Sequence, residues 1–145
     1  MVPHDPSILA LREKYTSCFG CGLDNTSGLR LDGFEVDGST VTTMFEPPSR
    51  FQGFDGILHG GVVATALDEI SAWSAMLTNR VFVFTAKLEI AYRKPAPLGV
   101  SLGLRGTVLE RRGRRLRIDA EIREGTTVVA QSHGLFMVAK DVDQS

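Results

Sequence analysis

The sequence is poor in thiols and imidazoles: two cysteines and three histidines in 145 residues. The cysteines form a single Cys18-Phe19-Gly20-Cys21-Gly22. With no second CxxC and no nearby pair of histidines, a four-ligand structural zinc site lacks a complete ligand set, and no metal is expected. A redox dithiol needs its CxxC at a helix N-terminus after a strand, whereas this one precedes a Gly- and Asn-rich turn. The expected role is a tight turn with two half-buried thiols; half of an intersubunit metal site and a redox pair stand as alternatives. Charge of one sign is lacking too. Sixteen basic and seventeen acidic residues leave a formal net charge of −1, so nothing global argues for nucleic acid or a membrane surface. A run of 18 apolar residues and a charged-then-apolar leader are both missing, and a cytoplasmic location is expected. Repeats, linkers and low-complexity tracts are missing as well. One domain over residues 1–145 is expected, with an arm and a short helix in residues 1–17, the helix around Ser7–Tyr15.

What is present is organised around Gln52–Leu77, QGFDGILHGGVVATALDEISAWSAML. It reads as a loop ending in His59-Gly60-Gly61 that opens one long apolar helix. Val63, Ala66, Leu67, Ile70, Trp73 and Leu77 recur at three- and four-residue steps, which is helical periodicity. Asp68 lies off that stripe, on a second face with Gly61, Ala64, Thr65, Ala72 and Ala75. A carboxylate among small side chains suggests a face closed over by a strand or a second subunit. Its neighbour Glu69 points about 100° around the helix and is expected to be exposed or paired with a partner.

The strands follow from alternation and turn residues. Leu29, Leu31, Phe34 and Val36 lead into a hairpin turning at Asp37-Gly38, with Val41–Phe45 as its return strand. Val81–Tyr92 reads as a long strand. In its second half Ala86, Leu88, Ile90 and Tyr92 share one face, and Thr85, Lys87, Glu89 and Ala91 the other. Val100–Glu110, Arg115–Arg123 and Thr127–Val138 complete the chain, joined by turns at Arg112-Gly113 and Glu124-Gly125. The order β-β-α-β-β-β-β places one helix among antiparallel strands, an α+β architecture with a curved sheet wrapped around the helix. The uncovered edges of such a sheet need a partner, so a dimer is expected. The basic run Arg111-Arg112-Gly113-Arg114-Arg115 lies on a turn without interleaved aromatics and is expected to be solvated.

Several motifs in order carry a resemblance. They are Cys18-Phe-Gly-Cys21-Gly with Asn25 and Gly28-Leu29, and Gln52-Gly-Phe-Asp-Gly56 ahead of His59-Gly60-Gly61. Asp68 then falls nine residues after His59, and Thr85-x-x-Leu88-x-Ile90-x-Tyr92-Arg93-Lys94-Pro95 follows. From Cys18 to Ala139 the chain resembles the hotdog-fold acyl-CoA thioesterases, nearest the branch of the phenylacetate-pathway enzymes. The resemblance implies a hotdog fold and hydrolysis of an acyl-CoA thioester, with no cofactor beyond the coenzyme A of the substrate. It implies the Gly60 amide as the oxyanion donor, a role the positive end of a helix suits on physical grounds. It implies Asp68 as nucleophile or general base, and Thr85 as the hydroxyl that orients the water or the carboxylate. Gln52 and His59 fall where polar groups hold the loop or the thioester, and Gly61 lets the substrate approach the backbone. Arg93 and Lys94 would meet the coenzyme A phosphates. Asn25 and Phe84 are expected to contact substrate, Phe84 together with Phe51, Phe54, Trp73 and Phe82 as candidates to shape an acyl pocket. Nine helical residues rise roughly 13 Å, so Asp68 does not reach the Gly60 of its own chain. The family solves this with a homodimer, and a dimer of dimers is expected.

Two rival readings follow from the same residues. A hotdog hydratase or dehydratase usually pairs a His on the catalytic helix or its flank with a carboxylate, and this helix carries no His. A non-catalytic acyl-CoA-binding module would keep the basic end of the Thr85–Pro95 strand without requiring Asp68.

Overall fold

A computed structural model describes Arg12, Glu13 and residues 15–144. The expected arm and most of the expected helix around Ser7–Tyr15 lie outside the described residues. The elements in chain order are β1 (Glu35–Asp37), β2 (Thr40–Phe45), α1 (Gly60–Asn79), β3 (Val81–Tyr92), β4 (Leu102–Arg112), β5 (Arg115–Glu124) and β6 (Thr127–Asp141). The strands form one antiparallel sheet in the order β1-β2-β4-β5-β6-β3, with α1 packed against it. This is the hotdog arrangement. Among the described residues no helix is long and apolar enough to cross a membrane.

The helix buries the stripe its periodicity marks. Val63, Ala66, Leu67, Ile70 and Trp73 are all buried, in one cluster with Val41, Leu104 and Ile122 of the sheet. Leu77, the last of the stripe, is only half-buried. Ser71 and Ser74 are buried too, and their hydroxyls donate to the carbonyls of Leu67 and Ser71, so neither is left unpaired. Sheet and helix approach closely at Gly106. A Cβ there would stand 2.7 Å from the Ile70 carbonyl oxygen, so only glycine lets β4 lie against the helix backbone.

Two expectations are corrected. The first strand is shorter than its apolar pattern suggested. Leu29, Leu31 and Phe34 are buried from an irregular segment, and pairing begins only at Glu35. Their role is to anchor the loop to the helix, with Phe34 stacked on Trp73 at 4.2 Å between ring centres. The second correction concerns β3. Its register shifts between Thr85 and Lys87, a β-bulge at Ala86, which reverses the in–out alternation on either side. Thr85 therefore faces the helix, as Tyr92 does, and not the opposite side of the sheet.

Candidate functional site

The helix N-terminus decides which amide is left over. His59 caps it: the His59 Nδ1 accepts from the Gly61 amide at 2.8 Å, and the His59 carbonyl accepts from Val62 and Val63. Of the first four helical amides, Gly60 alone has no acceptor among the described residues. Its carbonyl is occupied, accepting from the Tyr92 hydroxyl at 2.8 Å. Thus the Gly60 peptide is held by strand β3 while its N–H stays available at the positive end of a twenty-residue helix.

That amide opens onto a cleft of about 750 Å³. Gln52, His59 and Gly60 lie along it with Tyr92, Arg93 and Lys94, over an apolar floor that includes Val63 and Ala130. The Gln52 side chain accepts from the Gly56 amide at 3.0 Å and so braces the loop before the helix. Arg93 and Lys94 both donate backbone amides to Val129, and their exposed side chains extend from the end of β3. Two cations therefore sit at the mouth of the cleft holding the free amide.

Asp68 lies elsewhere. It is half-buried on the helix face turned toward β3, and Thr85 donates to its Oδ1 at 2.5 Å. Its Oδ2 has no partner among the described residues. Eight residues from Gly60 to Asp68 span about 12 Å along the axis, and Asp68 does not line the cleft. Gly61, Thr85 and Phe84 also lie outside it; Phe84 stands on the edge strand, 69% exposed. The Asn25 side chain is spent inside its own turn, donating to the Ser17 carbonyl and accepting from the Ser27 amide. Within one chain, the carboxylate and the free amide occupy different places.

Glu69, expected to be exposed or paired with a partner, is half-buried within its own chain. The Cys18–Cys21 turn folds over it, and Cys18 Sγ donates to Glu69 Oε1 at 3.8 Å. Burial raises the Glu69 carboxyl above its ordinary value, and the negative charge of Asp68 raises it further. Burial also pushes the Cys21 thiol up, followed by the charge on Glu69. Tyr92 and Glu69 are the residues sequence reasoning passed over. Tyr92 was assigned to a face but not to Gly60, and no local pattern brings residues 18–21 to the middle of a helix fifty residues later.

Comparison with known proteins bears on the family and the fold. Residues 55–131, more than half of the chain, match the model of the Thioesterase superfamily. Acyl-coenzyme A thioesterase THEM4 of Rattus norvegicus is 29% identical over 99 residues, 67% of this chain and 42% of that protein. The chain spans less than half the length of the curated relatives it matches. Among solved structures, a thioesterase superfamily protein superposes with a TM-score of 0.74 at 27% identity, covering 80% of this chain and 60% of that one. The E. coli PaaI protein, from the phenylacetic acid degradation operon, gives 0.71 at 17% identity, covering 78% and 82%.

Proposed function

The chain belongs to the thioesterase superfamily, and on that footing we propose that it hydrolyses an acyl-coenzyme A thioester to the free acid and the thiol. The observation that carries the reading is the Gly60 amide: a helix-terminal N–H without an acceptor, facing a cleft with two cations at its mouth. The thioester oxygen accepts from that N–H, and the negative charge that grows there during attack is stabilised by the amide and the helix dipole. Arg93 and Lys94 hold the coenzyme phosphates. Asp68 takes a proton from water as the water oxygen adds to the carbonyl carbon, or attacks that carbon itself to give an acyl–Asp68 anhydride that water then hydrolyses to the free acid. Thr85 fixes one carboxylate oxygen in either case. The carbon–sulfur bond then breaks and the thiolate leaves, taking up a proton.

About 12 Å of helix separates the two halves of this machinery, so the reading requires a second copy. The Asp68 of one protomer serves the Gly60 of its partner. Strand β3 supports this, because it is a twelve-residue edge with exposed Phe84 and Tyr92, the kind of strand that pairs with another chain. His59 spends Nδ1 on its own helix, which weighs against the hydratase reading.

The test is thiol release from a panel of aromatic and aliphatic acyl-CoAs, by the protein and by Asp68→Asn, with sedimentation to count the copies. Hydrolysis that falls at least about a hundredfold in the variant, from a protein no smaller than a dimer, supports the reading. Tight coenzyme A binding with no turnover would replace it by the binding-module reading. An Asp68→Asn as active as the parent would remove Asp68 from the mechanism.

A further inference from the structure

The N-terminal turn closes over a carboxylate, which needs an explanation. Cys18 Sγ, Cys21 Sγ and a Glu69 carboxylate oxygen lie within 4.8 Å of one another, all three residues half-buried. The fit is close: a Cβ on Gly20 would fall 2.1 Å from Glu69 Cγ and 2.5 Å from its Oε1. Glycine between the cysteines is what lets the carboxylate seat inside the turn. Yet Glu69 has no ion pair with Lys, Arg or His among the described residues, and thiols are weak donors. Taking a carboxylate out of water on such terms is costly.

A second observation lies in the same place. A hollow of about 300 Å³ is lined by Arg12, Tyr15, Cys18, Cys21, Glu69 and Trp73 among others. Two of its side-chain N–H groups, Arg12 Nε and Trp73 Nε1, are buried with no acceptor at ordinary hydrogen-bond length, and the Trp73 N–H is directed at Glu69 and Cys21. Buried donors of this kind serve the thiolates and carboxylates that surround a bound metal. The loop thus brings together two sulfurs, one carboxylate and two buried donors.

We propose that Cys18, Cys21 and Glu69 bind one thiophilic divalent cation of the zinc type, with the fourth position open to the hollow. Two sulfurs and one oxygen form a zinc donor set and exclude Mg²⁺ and Ca²⁺, which take oxygen ligands. Bonds of about 2.3 Å to sulfur and about 2.1 Å to oxygen put tetrahedral ligand atoms about 3.6–3.8 Å apart. The Cys18–Glu69 pair already stands at 3.8 Å, and Cys21 Sγ lies within 4.8 Å of both. The cation turns three buried anionic ligands into a group of net charge −1. Its function is to staple the N-terminal turn to the helix, apart from the cleft and on another face from Asp68.

The test uses the full chain, reduced, stripped with chelator and titrated anaerobically with Co²⁺. A near-ultraviolet thiolate-to-cobalt band saturating at one ion per chain is expected, bleached by added Zn²⁺, with both thiols then protected from a thiol reagent. Glu69→Gln, checked for native circular dichroism, should weaken binding by about tenfold or more and lose the rise in Tm that Zn²⁺ gives the parent. Thiols equally reactive with and without Zn²⁺, together with no cobalt band, would overturn the site. So would unchanged affinity in Glu69→Gln, or one ion per two chains bound by four thiolates.

Discussion

Thr85 and Tyr92 stand seven residues apart on one strand, and both donate a hydroxyl hydrogen bond to the same helix. Thr85 reaches Asp68 and Tyr92 reaches the carbonyl of Gly60. An odd spacing should send them to opposite faces of the sheet. The bulge at Ala86 absorbs one residue and brings both onto the helix side. Strand β3 thereby holds the Asp68 carboxylate at one end and the Gly60 peptide at the other.

Thr85→Val removes the donor to Asp68 while keeping the shape of the side chain. A hydrogen bond to a charged group is worth about 1.5–3 kcal/mol, so kcat for thioester hydrolysis should drop by about ten- to a hundredfold with KM little changed. Thr85→Ser should retain most of the rate. Steady-state kinetics of both variants decide it; equal losses in both would show that the hydroxyl is not the operative group.

His59→Ala removes a helix cap. By the usual worth of an N-cap it should cost about 1 kcal/mol in urea unfolding, and His59→Asn should restore most of that. An Asn variant as unstable as the Ala variant would mean that the ring does something beyond accepting from Gly61.

Two glycines should fail for different reasons. Gly106→Ala drives a Cβ to within 2.7 Å of the Ile70 carbonyl oxygen and should cost about 1–3 kcal/mol or more, because sheet and helix must separate. Gly38→Ala meets nothing within 4 Å but sits at φ +62°, so its cost should be only the left-handed penalty of about 1–2 kcal/mol. Unfolding of the two variants side by side checks both. A Gly106→Ala as stable as the parent would refute the close approach.

Glu69 sets a pH dependence in metal-free protein. Its folded carboxyl titrates above the ordinary value of 4.5, burial being the larger cause and Asp68 the second; Cys18, Cys21, Trp73, Arg12 and Tyr15 complete its surroundings. Above pH 4.5 the unfolded chain releases a proton that the folded chain keeps. Stability therefore falls as pH rises toward the folded value and levels off beyond it. Glu69→Gln carries no such proton, so with chelator present its Tm advantage over the parent should be larger at pH 8 than at pH 5. A difference that is flat with pH would disprove the shift.

Much of this was legible beforehand because it is local. The helix declares itself through a stripe from Val63 to Trp73, and its start through His-Gly-Gly. The turns at Asp37-Gly38, Arg112-Gly113 and Glu124-Gly125 each place a glycine at positive φ, as hairpins demand. What escaped was non-local or hinged on a single inserted residue. The alternation of β3 assigned Thr85 to the wrong face because a bulge has no side-chain signature. Leu29, Leu31 and Phe34 read as the lead into a strand yet anchor a loop, since burial in the core, with Phe34 stacked on Trp73, overrides local propensity. The contact of Glu69 with the cysteine turn was not foreseen, because a helical wheel carries no information about a turn fifty residues upstream.

That turn also has a behaviour in time. It is tied down by the amides of Leu29 and Leu31, which donate to the carbonyls of Phe19 and Gly20, and it can open without unfolding the sheet. Each opening admits water to Glu69 and returns its carboxyl toward its ordinary value, so that above that value a second negative charge is more readily set beside Asp68. In metal-free protein, opening becomes more frequent as pH rises, and hydrogen exchange at Leu31 should accelerate beyond what hydroxide catalysis alone accounts for. The exchange rate of one backbone amide thus reports how often two adjacent acids on a helix are charged together.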